Sequence, residues 1–250
     1  MRISVFGTGY VGVLSSGCLA GLGHAIIGVD IAAETLALLA VGKSPIVEAE
    51  INGLIAGAVK LRRLTTTQDV AAAVAGTDIS FISVGTPSAP DGSVALGAVD
   101  NAIKAIGAAL RDSAKPHVVV MRSTVPPGTA EDRVIPLLEQ ASGRRLGDGL
   151  SYCSNPELLR EGAAVSDFRT PPFTLLGAPP GEDATLLRDP YAAIDAPAFA
   201  KAILRLLDDA ALGAQRAGAA RRRVEDRFSW SRVARQFEQI CLRAMAAHAA

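Results

Sequence analysis

Short apolar runs alternate with longer amphipathic stretches over the first 177 positions of this chain. The runs are nearly continuous in apolar residues, which predicts strands buried on both faces; they cover residues 3–6, 25–29, 79–84, 118–121 and 173–176. The stretches between them, such as residues 70–74 and 99–110, have the spacing of helices that pack on a sheet. We therefore expect an α/β fold in which helices cover both faces of a parallel sheet.

The pattern changes after residue 177. The segment Ala178-Pro179-Pro180-Gly181 interrupts the alternation, and three helical segments follow near residues 197–208, 211–228 and 229–247. The sequence therefore predicts two parts. One is an α/β domain over residues 1–177, and the other is a helical C-terminal appendage over residues 178–250.

A glycine-rich turn joins the first predicted strand to the first helical stretch. Gly7, Gly9 and Gly12 directly follow the strand. In such a unit the first glycine allows a tight turn, the second lets the backbone approach a pyrophosphate, and the third lets the helix pack closely on the strand. The start of the helix adds unpaired N–H groups that favour phosphate. This order predicts a Rossmann-type, doubly wound sheet that binds a dinucleotide.

The second predicted strand ends in Asp30, about twenty residues beyond the glycines. A carboxylate there can accept hydrogen bonds from both ribose hydroxyls and would repel a 2′-phosphate, so the expected cofactor is NAD rather than NADP. The alternative is a glycine turn that only packs a helix on a sheet. That alternative leaves Asp30 without a role.

Charge and cysteine content narrow the possible functions. The 250 residues include 25 basic and 25 acidic side chains, so the net charge is zero and nucleic acid is not expected as a partner. Three distant cysteines, Cys18, Cys153 and Cys241, predict neither a disulfide framework nor a metal site. No apolar stretch has the length of a membrane span, and no signal peptide precedes the first strand. We therefore expect a cytoplasmic protein.

Further motifs follow the predicted strands, where ligands bind in parallel sheets. Together with the glycine turn and Asp30, they resemble the N-terminal NAD domain of the UDP-glucose/GDP-mannose dehydrogenase family. The matching pieces are residues 7–12, 42–48, 84–87, 123–129 and 155–162. Residues 117–124 and 171–174 are most similar to family members that act on GDP-mannose.

On the cofactor side, the resemblance implies a role for each matching residue. Tyr10 and Val11 would contact NAD through the backbone of the turn, and Asp30 would contact the adenosine ribose. Thr86 would touch the cofactor near the strand ends. Thr124 would lie by the nicotinamide and help to position the catalytic water.

On the substrate side, the resemblance implies a nucleotide sugar, either GDP-mannose or UDP-glucose. Glu157 and Glu161 would bind the sugar and assist proton transfer. Their four-residue spacing is expected to place both on one face of a short helix. The alternative for these two glutamates is helix capping and a surface pair with Arg160.

The family oxidises the sugar C6 alcohol to a carboxylate in two hydride transfers, and a cysteine captures the intermediate aldehyde. The glycine-rich segment that carries this cysteine, and the helical segment with its lysine, have no counterpart in the present sequence. We therefore expect impaired or absent turnover. The alternative is a noncatalytic NAD-binding remnant or fusion module. A homodimer is the candidate assembly.

The predicted appendage has a different resemblance. Residues 200–209 and 219–230 are similar to the C-terminal helices of two-domain retaining glycosyltransferases. The donor-binding glutamates of those enzymes lie upstream of these helices and have no counterpart here. A transferase fragment is therefore the least favoured of the three functions considered.

Overall fold

The computed structural model describes residues 1–113, 115–171 and 174–179. Within these residues six parallel strands alternate with seven α-helices. The strands are β1 (Arg2–Phe6), β2 (Ala25–Val29), β3 (Leu64–Thr67), β4 (Ile79–Ile82), β5 (His117–Met121) and β6 (Leu150–Ser154). The helices are α1 (Tyr10–Gly21), α2 (Ala33–Ala40), α3 (Ile51–Lys60), α4 (Val70–Gly76), α5 (Gly97–Leu110), α6 (Ile135–Ser142) and α7 (Ala164–Arg169). A π-helical turn, Ala130–Val134, leads into α6.

The sheet order is β3-β2-β1-β4-β5-β6. Strand β1 lies between β2 and β4, with Phe6 opposite Val29 on one side and Ile82 on the other. Strands β2 and β3 extend the sheet on one side of β1, and strands β4, β5 and β6 extend it on the other side. A crevice opens where the direction reverses, at the carboxyl ends of β1 and β4. This is the expected Rossmann-type doubly wound sheet.

Two apolar layers cover the sheet. One face carries α1, α3 and α7, whose Leu14, Ile55 and Phe168 are buried against it. The other face carries α4, α5 and α6, with Ile103 and Leu138 fully buried. Burial on both faces explains why the central strands are apolar at nearly every position.

The strand predictions are correct for the inner strands apart from the end of β4, and they are wrong for residues 173–176. Residues 25–29 form β2 as predicted, whereas the run at 79–84 ends as a strand at Ile82. The run predicted at 173–176 forms no strand in its described part, and Gly177 makes only a single antiparallel bridge to Ser154. Strand β3 was not predicted because its sequence, Leu-Thr-Thr-Thr, is polar, as an edge strand allows.

A buried polar chain crosses the sheet near the amino ends of the strands. The Ser4 and Ser80 hydroxyls lie 2.8 Å apart, and Ser80 Oγ lies 2.8 Å from His117 Nε2. Thr77 donates to the Ala73 carbonyl at 2.8 Å, and its Oγ1 lies 3.1 Å from Ser4 Oγ. Side chains from β1, β4 and β5 are therefore linked by hydrogen bonds within the apolar interior.

Most of the predicted appendage lies outside the described residues, as do the glycosyltransferase-like segments and Cys241. The proposed boundary at residue 177 stays a prediction. Among the described residues, no helix combines the length and apolar character that crossing a membrane requires. In the same part of the chain, no three metal-ligating side chains come together.

Candidate dinucleotide-binding site

The glycine turn has the geometry that its spacing predicts. Gly7 has a φ of +89°, and its N–H donates to the Val29 carbonyl at 2.8 Å. At Gly12 a Cβ atom would lie 1.8 Å from the Gly7 carbonyl oxygen, so only glycine fits there. A Cβ at Gly9 would meet nothing within 4 Å, which leaves its backbone open to a ligand.

Helix α1 begins beside this open backbone. Gly9 is its N-cap and provides no side-chain cap, and the first turn holds no acidic residue. The first intrahelical bond runs from the Val13 N–H to the Gly9 carbonyl. The amides of Tyr10 and Val11 precede that bond, at the positive end of the helix dipole, where a phosphate binds favourably.

Asp30 lies at the end of β2, beside the glycine turn. Its carboxylate accepts hydrogen bonds from the Thr8 N–H at 2.5 Å, the Thr8 hydroxyl at 2.8 Å and the Ala32 N–H at 3.0 Å. Partial burial raises the pKa of Asp30, but these hydrogen bonds outweigh it and hold the pKa below its usual value. The carboxylate is therefore charged at neutral pH and anchors the turn through Thr8, a role that the sequence did not reveal.

A cavity of about 470 Å³ connects Gly7 and Gly9 with Asp30. Its size lies within the range of ligand pockets. Its walls are mainly apolar, with a few polar groups; they include Ile31, Val70, Ala102, Ala105, Gln68 and Asn101. The Ser83 hydroxyl also lines this cavity and is buried without a hydrogen-bond partner among the described residues. An apolar slot, an open glycine backbone and an unpartnered hydroxyl together fit a dinucleotide.

Thr86 and Thr124 lie on neighbouring loops at the same edge of the sheet. The Ser123 hydroxyl joins the two loops by donating to the Val84 carbonyl at 2.8 Å, and its oxygen lies 3.2 Å from the Ile82 carbonyl oxygen. Thr86 is half-buried and Thr124 is exposed. The two predicted site threonines therefore follow adjacent strands, β4 and β5, whose ends are held together by one serine.

The predicted helix through Glu157 and Glu161 does not form. Residues 155–160 form neither helix nor strand, residues 161–163 form a turn, and α7 begins only at Ala164. Pro156 disfavours helix at the residue before it, and Gly162 has a φ of +84°, which is not helical. The Glu157 carboxylate instead accepts from the Leu159 N–H at 2.7 Å, while Glu161 is exposed.

The alternative roles of the glutamates are not observed either. Arg160 pairs with Asp167 at 2.7 Å rather than with a neighbouring glutamate. This ion pair holds the turn before α7 in place, because the backbone N–H of Arg160 also donates to the Asp167 carboxylate at 2.9 Å. Glu157 and Glu161 thus lie on one ordered loop after β6, at the edge of the sheet that holds the cavity.

A buried arginine connects α1, the loop after β6 and α7. Arg122 Nε donates to the Ser15 hydroxyl of α1 at 2.9 Å, and its Nη1 donates to Asn155 Oδ1 at 2.7 Å. The guanidinium also lies 5.8 Å from the centre of the Phe168 ring. Sequence reasoning assigned no role to Arg122, because its partners are distant along the chain.

The fold and this site define a class: an α/β domain that binds a dinucleotide at the switch point of a parallel sheet. Comparison with known proteins specifies it further. The NAD-binding domain of the UDP-glucose/GDP-mannose dehydrogenase family matches residues 1–195. The chain belongs to this family, and its cofactor is NAD.

Two curated relatives illustrate the similarity. The GDP-mannose 6-dehydrogenase of Azotobacter vinelandii is 44% identical over 203 residues, which cover 81% of this chain and 47% of the relative. The UDP-glucose 6-dehydrogenase of Haloferax volcanii is 42% identical over 179 residues, 71% of this chain and 41% of the relative. The chain thus spans about half the length of the curated relatives it matches.

Solved structures show the same similarity in three dimensions. A ternary complex of GDP-mannose dehydrogenase from Pseudomonas aeruginosa superposes with a TM-score of 0.76 at 43% identity, over 78% of this chain and 45% of that one. A UDP-glucose dehydrogenase from Pyrobaculum islandicum gives a TM-score of 0.73 at 41% identity, with the same coverage.

Proposed function

We propose that this chain provides the NAD-binding half of a nucleotide-sugar 6-dehydrogenase acting on GDP-mannose or UDP-glucose. The observation that carries the proposal is the cavity at the switch point. It joins an open glycine turn to a charged Asp30, and the loops that follow β5 and β6 lie at the same edge. The names and identities of the relatives support a nucleotide sugar, with GDP-mannose as the first candidate.

NAD would be held by backbone and side-chain groups together. The pyrophosphate would lie against Gly9 and the amides of Tyr10 and Val11, and Asp30 would face the adenosine ribose. Thr86 would contact the cofactor further along the edge. Bound NAD+ supplies the hydride acceptor for oxidation of the sugar C6 alcohol.

The substrate side would lie on the next two loops. Thr124 is exposed after β5. It would lie by the nicotinamide and help to position the catalytic water. Glu157 and Glu161 follow β6 and would bind the sugar and hold a proton during the reaction. Glu161 has the greater freedom to do so, because the Glu157 carboxylate accepts from a backbone amide of its own loop.

The thiols of the described residues favour impaired or absent turnover by this polypeptide. Cys18 and Cys153 are both buried free thiols, and burial raises the pKa of each to about 12. Neither is therefore a thiolate at neutral pH, and a thiolate is the form that captures an aldehyde. This observation favours the second candidate function, a noncatalytic NAD-binding module. A homodimer and a cytoplasmic location stay predictions.

One preparation of the 250-residue polypeptide can separate these functions. Calorimetry with NAD+ tests the cofactor site, and NADH absorbance with GDP-mannose or UDP-glucose tests oxidation. We expect NAD+ binding without uronate formation. Absence of binding at millimolar NAD+ would overturn the whole proposal. Robust uronate formation, seen as two NADH per sugar, would overturn only the expectation of impaired or absent turnover, and a Cys153→Ser variant would then show whether Cys153 is the nucleophile.

A further inference from the structure

The loop between α2 and α3 contacts both ends of α7 through two acidic residues. We call residues 42–50 the bridging loop. One Glu48 oxygen accepts from the Tyr10 hydroxyl at 2.5 Å and from the Gly162 N–H at 2.8 Å, and the other accepts from the Ala164 N–H at 3.3 Å. Glu50 forms a separate, more exposed ion pair with Arg169 at 2.6 Å.

The three donors to Glu48 come from opposite sides of the proposed site. Tyr10 is the first residue of α1 and directly follows Gly9, which lines the NAD cavity. Gly162 directly follows Glu161, the exposed glutamate on the proposed sugar side. A single carboxylate therefore joins the cofactor turn to the segment that sets the position of Glu161.

The protonation states favour this arrangement at neutral pH. The hydrogen bond from Tyr10 and the Gly162 amide hold the pKa of Glu48 below its usual value. Desolvation and the Glu48 carboxylate raise the pKa of Tyr10 above its usual value. The link is thus a neutral phenol that donates to a charged carboxylate, a stronger type of hydrogen bond than one between neutral groups.

We propose that Glu48 is a positioning residue that couples NAD binding at the glycine turn to the ordering of residues 159–164. Bound cofactor restrains the start of α1 and with it the Tyr10 ring. The ring restrains the Glu48 carboxylate, which in turn holds the amides of Gly162 and Ala164. This inference rests on the proposed function, since it assigns the cofactor and the sugar to the two ends of the link.

Hydrogen exchange of the full 250-residue chain tests the coupling without requiring turnover. Exchange of peptides covering residues 159–164 is compared without NAD+ and at NAD+ concentrations that calorimetry shows to be saturating. We expect NAD+ to slow this exchange by about fivefold or more, the lower end of coupling between sites. In Glu48→Ala and in Tyr10→Phe, which removes only the hydroxyl, the effect of NAD+ should disappear.

Two further variants separate coupling from a general loss of structure. Glu48→Gln retains an oxygen that accepts from Gly162, so it should recover most of the NAD+ effect. Glu50→Gln removes an acidic group of the same loop that touches neither Tyr10 nor Gly162, so the NAD+ effect should persist. A uniform rise in exchange across the chain would indicate destabilisation and contradict a positioning role.

The outcomes also distinguish this inference from the proposed function. If the parent chain does not bind NAD+, both the cofactor site and the coupling are overturned. If the parent binds NAD+ but residues 159–164 exchange at the same rate in its presence, only the coupling is overturned. The same conclusion follows if Glu48→Ala and Tyr10→Phe retain the full effect of NAD+.

Discussion

At the scale of single residues, two glycines of the turn have different roles, one in folding and one in ligand binding. Gly12 lacks a side chain because the Gly7 carbonyl occupies the space where a Cβ would lie. Gly9 also lacks a side chain, but it lies in the cavity wall and faces open space. The same residue type therefore serves the packing of the domain at one position and access of the ligand at the other.

This difference predicts that two matched substitutions affect different properties, one the stability of the fold and the other the affinity for NAD+. Gly12→Ala should lower the free energy of unfolding by about 3 kcal/mol, because its Cβ would overlap the Gly7 carbonyl oxygen. Gly9→Ala should change that free energy by no more than about 0.5 kcal/mol. Its NAD+ affinity should fall by about tenfold or more, because the Cβ would stand where the pyrophosphate approaches. Urea unfolding and calorimetry measure the two quantities; a stable Gly12→Ala protein would contradict the packing argument.

At the scale of elements, the central strands were predictable and the loops around them only in part. Residues 25–29 were identified correctly because burial on both faces makes a local apolar run. The helix predicted through Glu157 and Glu161 is wrong, because Pro156 and Gly162 disfavour a helix that the four-residue spacing alone would allow. The contact of Tyr10 with Glu48 joins residues 38 positions apart, so no local pattern could indicate it.

The link between β1, β4 and β5 predicts a pH-dependent stability. Burial, with a smaller effect from Lys115, lowers the pKa of His117 to about 4. In the unfolded chain the same imidazole takes up its proton near pH 6.5, so the unfolded state binds more protons between about pH 6.5 and 4. Stability should therefore fall as the pH decreases through this range, by about 2 kcal/mol at pH 5 relative to neutral pH.

Urea unfolding at pH 7.5 and pH 5 measures this effect. His117→Gln should be less stable at both pH values but should lose most of the difference between them. His24→Gln removes the other described imidazole, which lies beside the N-terminus, and should retain the difference. Equal stability of the parent chain at the two pH values would show that His117 is protonated as readily in the folded as in the unfolded state.

At the scale of the whole molecule, the cofactor should stabilise the fold selectively. At a concentration one hundred times its dissociation constant, NAD+ should raise the free energy of unfolding by about 2.7 kcal/mol, which corresponds to about 5 to 10 °C in Tm. NADP+ at the same concentration should have a smaller effect, since the charged Asp30 carboxylate repels the 2′-phosphate. Thermal unfolding with each nucleotide measures the difference.

Two variants identify the source of this selectivity. Asp30→Asn removes the charge and should narrow the gap between the two nucleotides. Asp148→Asn changes an exposed acid in the turn before β6, away from the carboxyl edge, and should leave the gap unchanged. An equal response of the parent chain to NAD+ and NADP+ would mean that Asp30 serves only to anchor the turn through Thr8.

The position of Arg122 affects how variants of such domains are interpreted. Its guanidinium holds Ser15 of the helix that follows the glycine turn and Asn155 at the start of the loop after β6, yet it is buried. Replacing it would displace the helix that follows the glycine turn together with the loop after β6, and so would weaken NAD binding without removing a contact to the cofactor. In surveys of natural variation, a harmful change at this position would therefore indicate a disturbed fold rather than a lost contact with the cofactor.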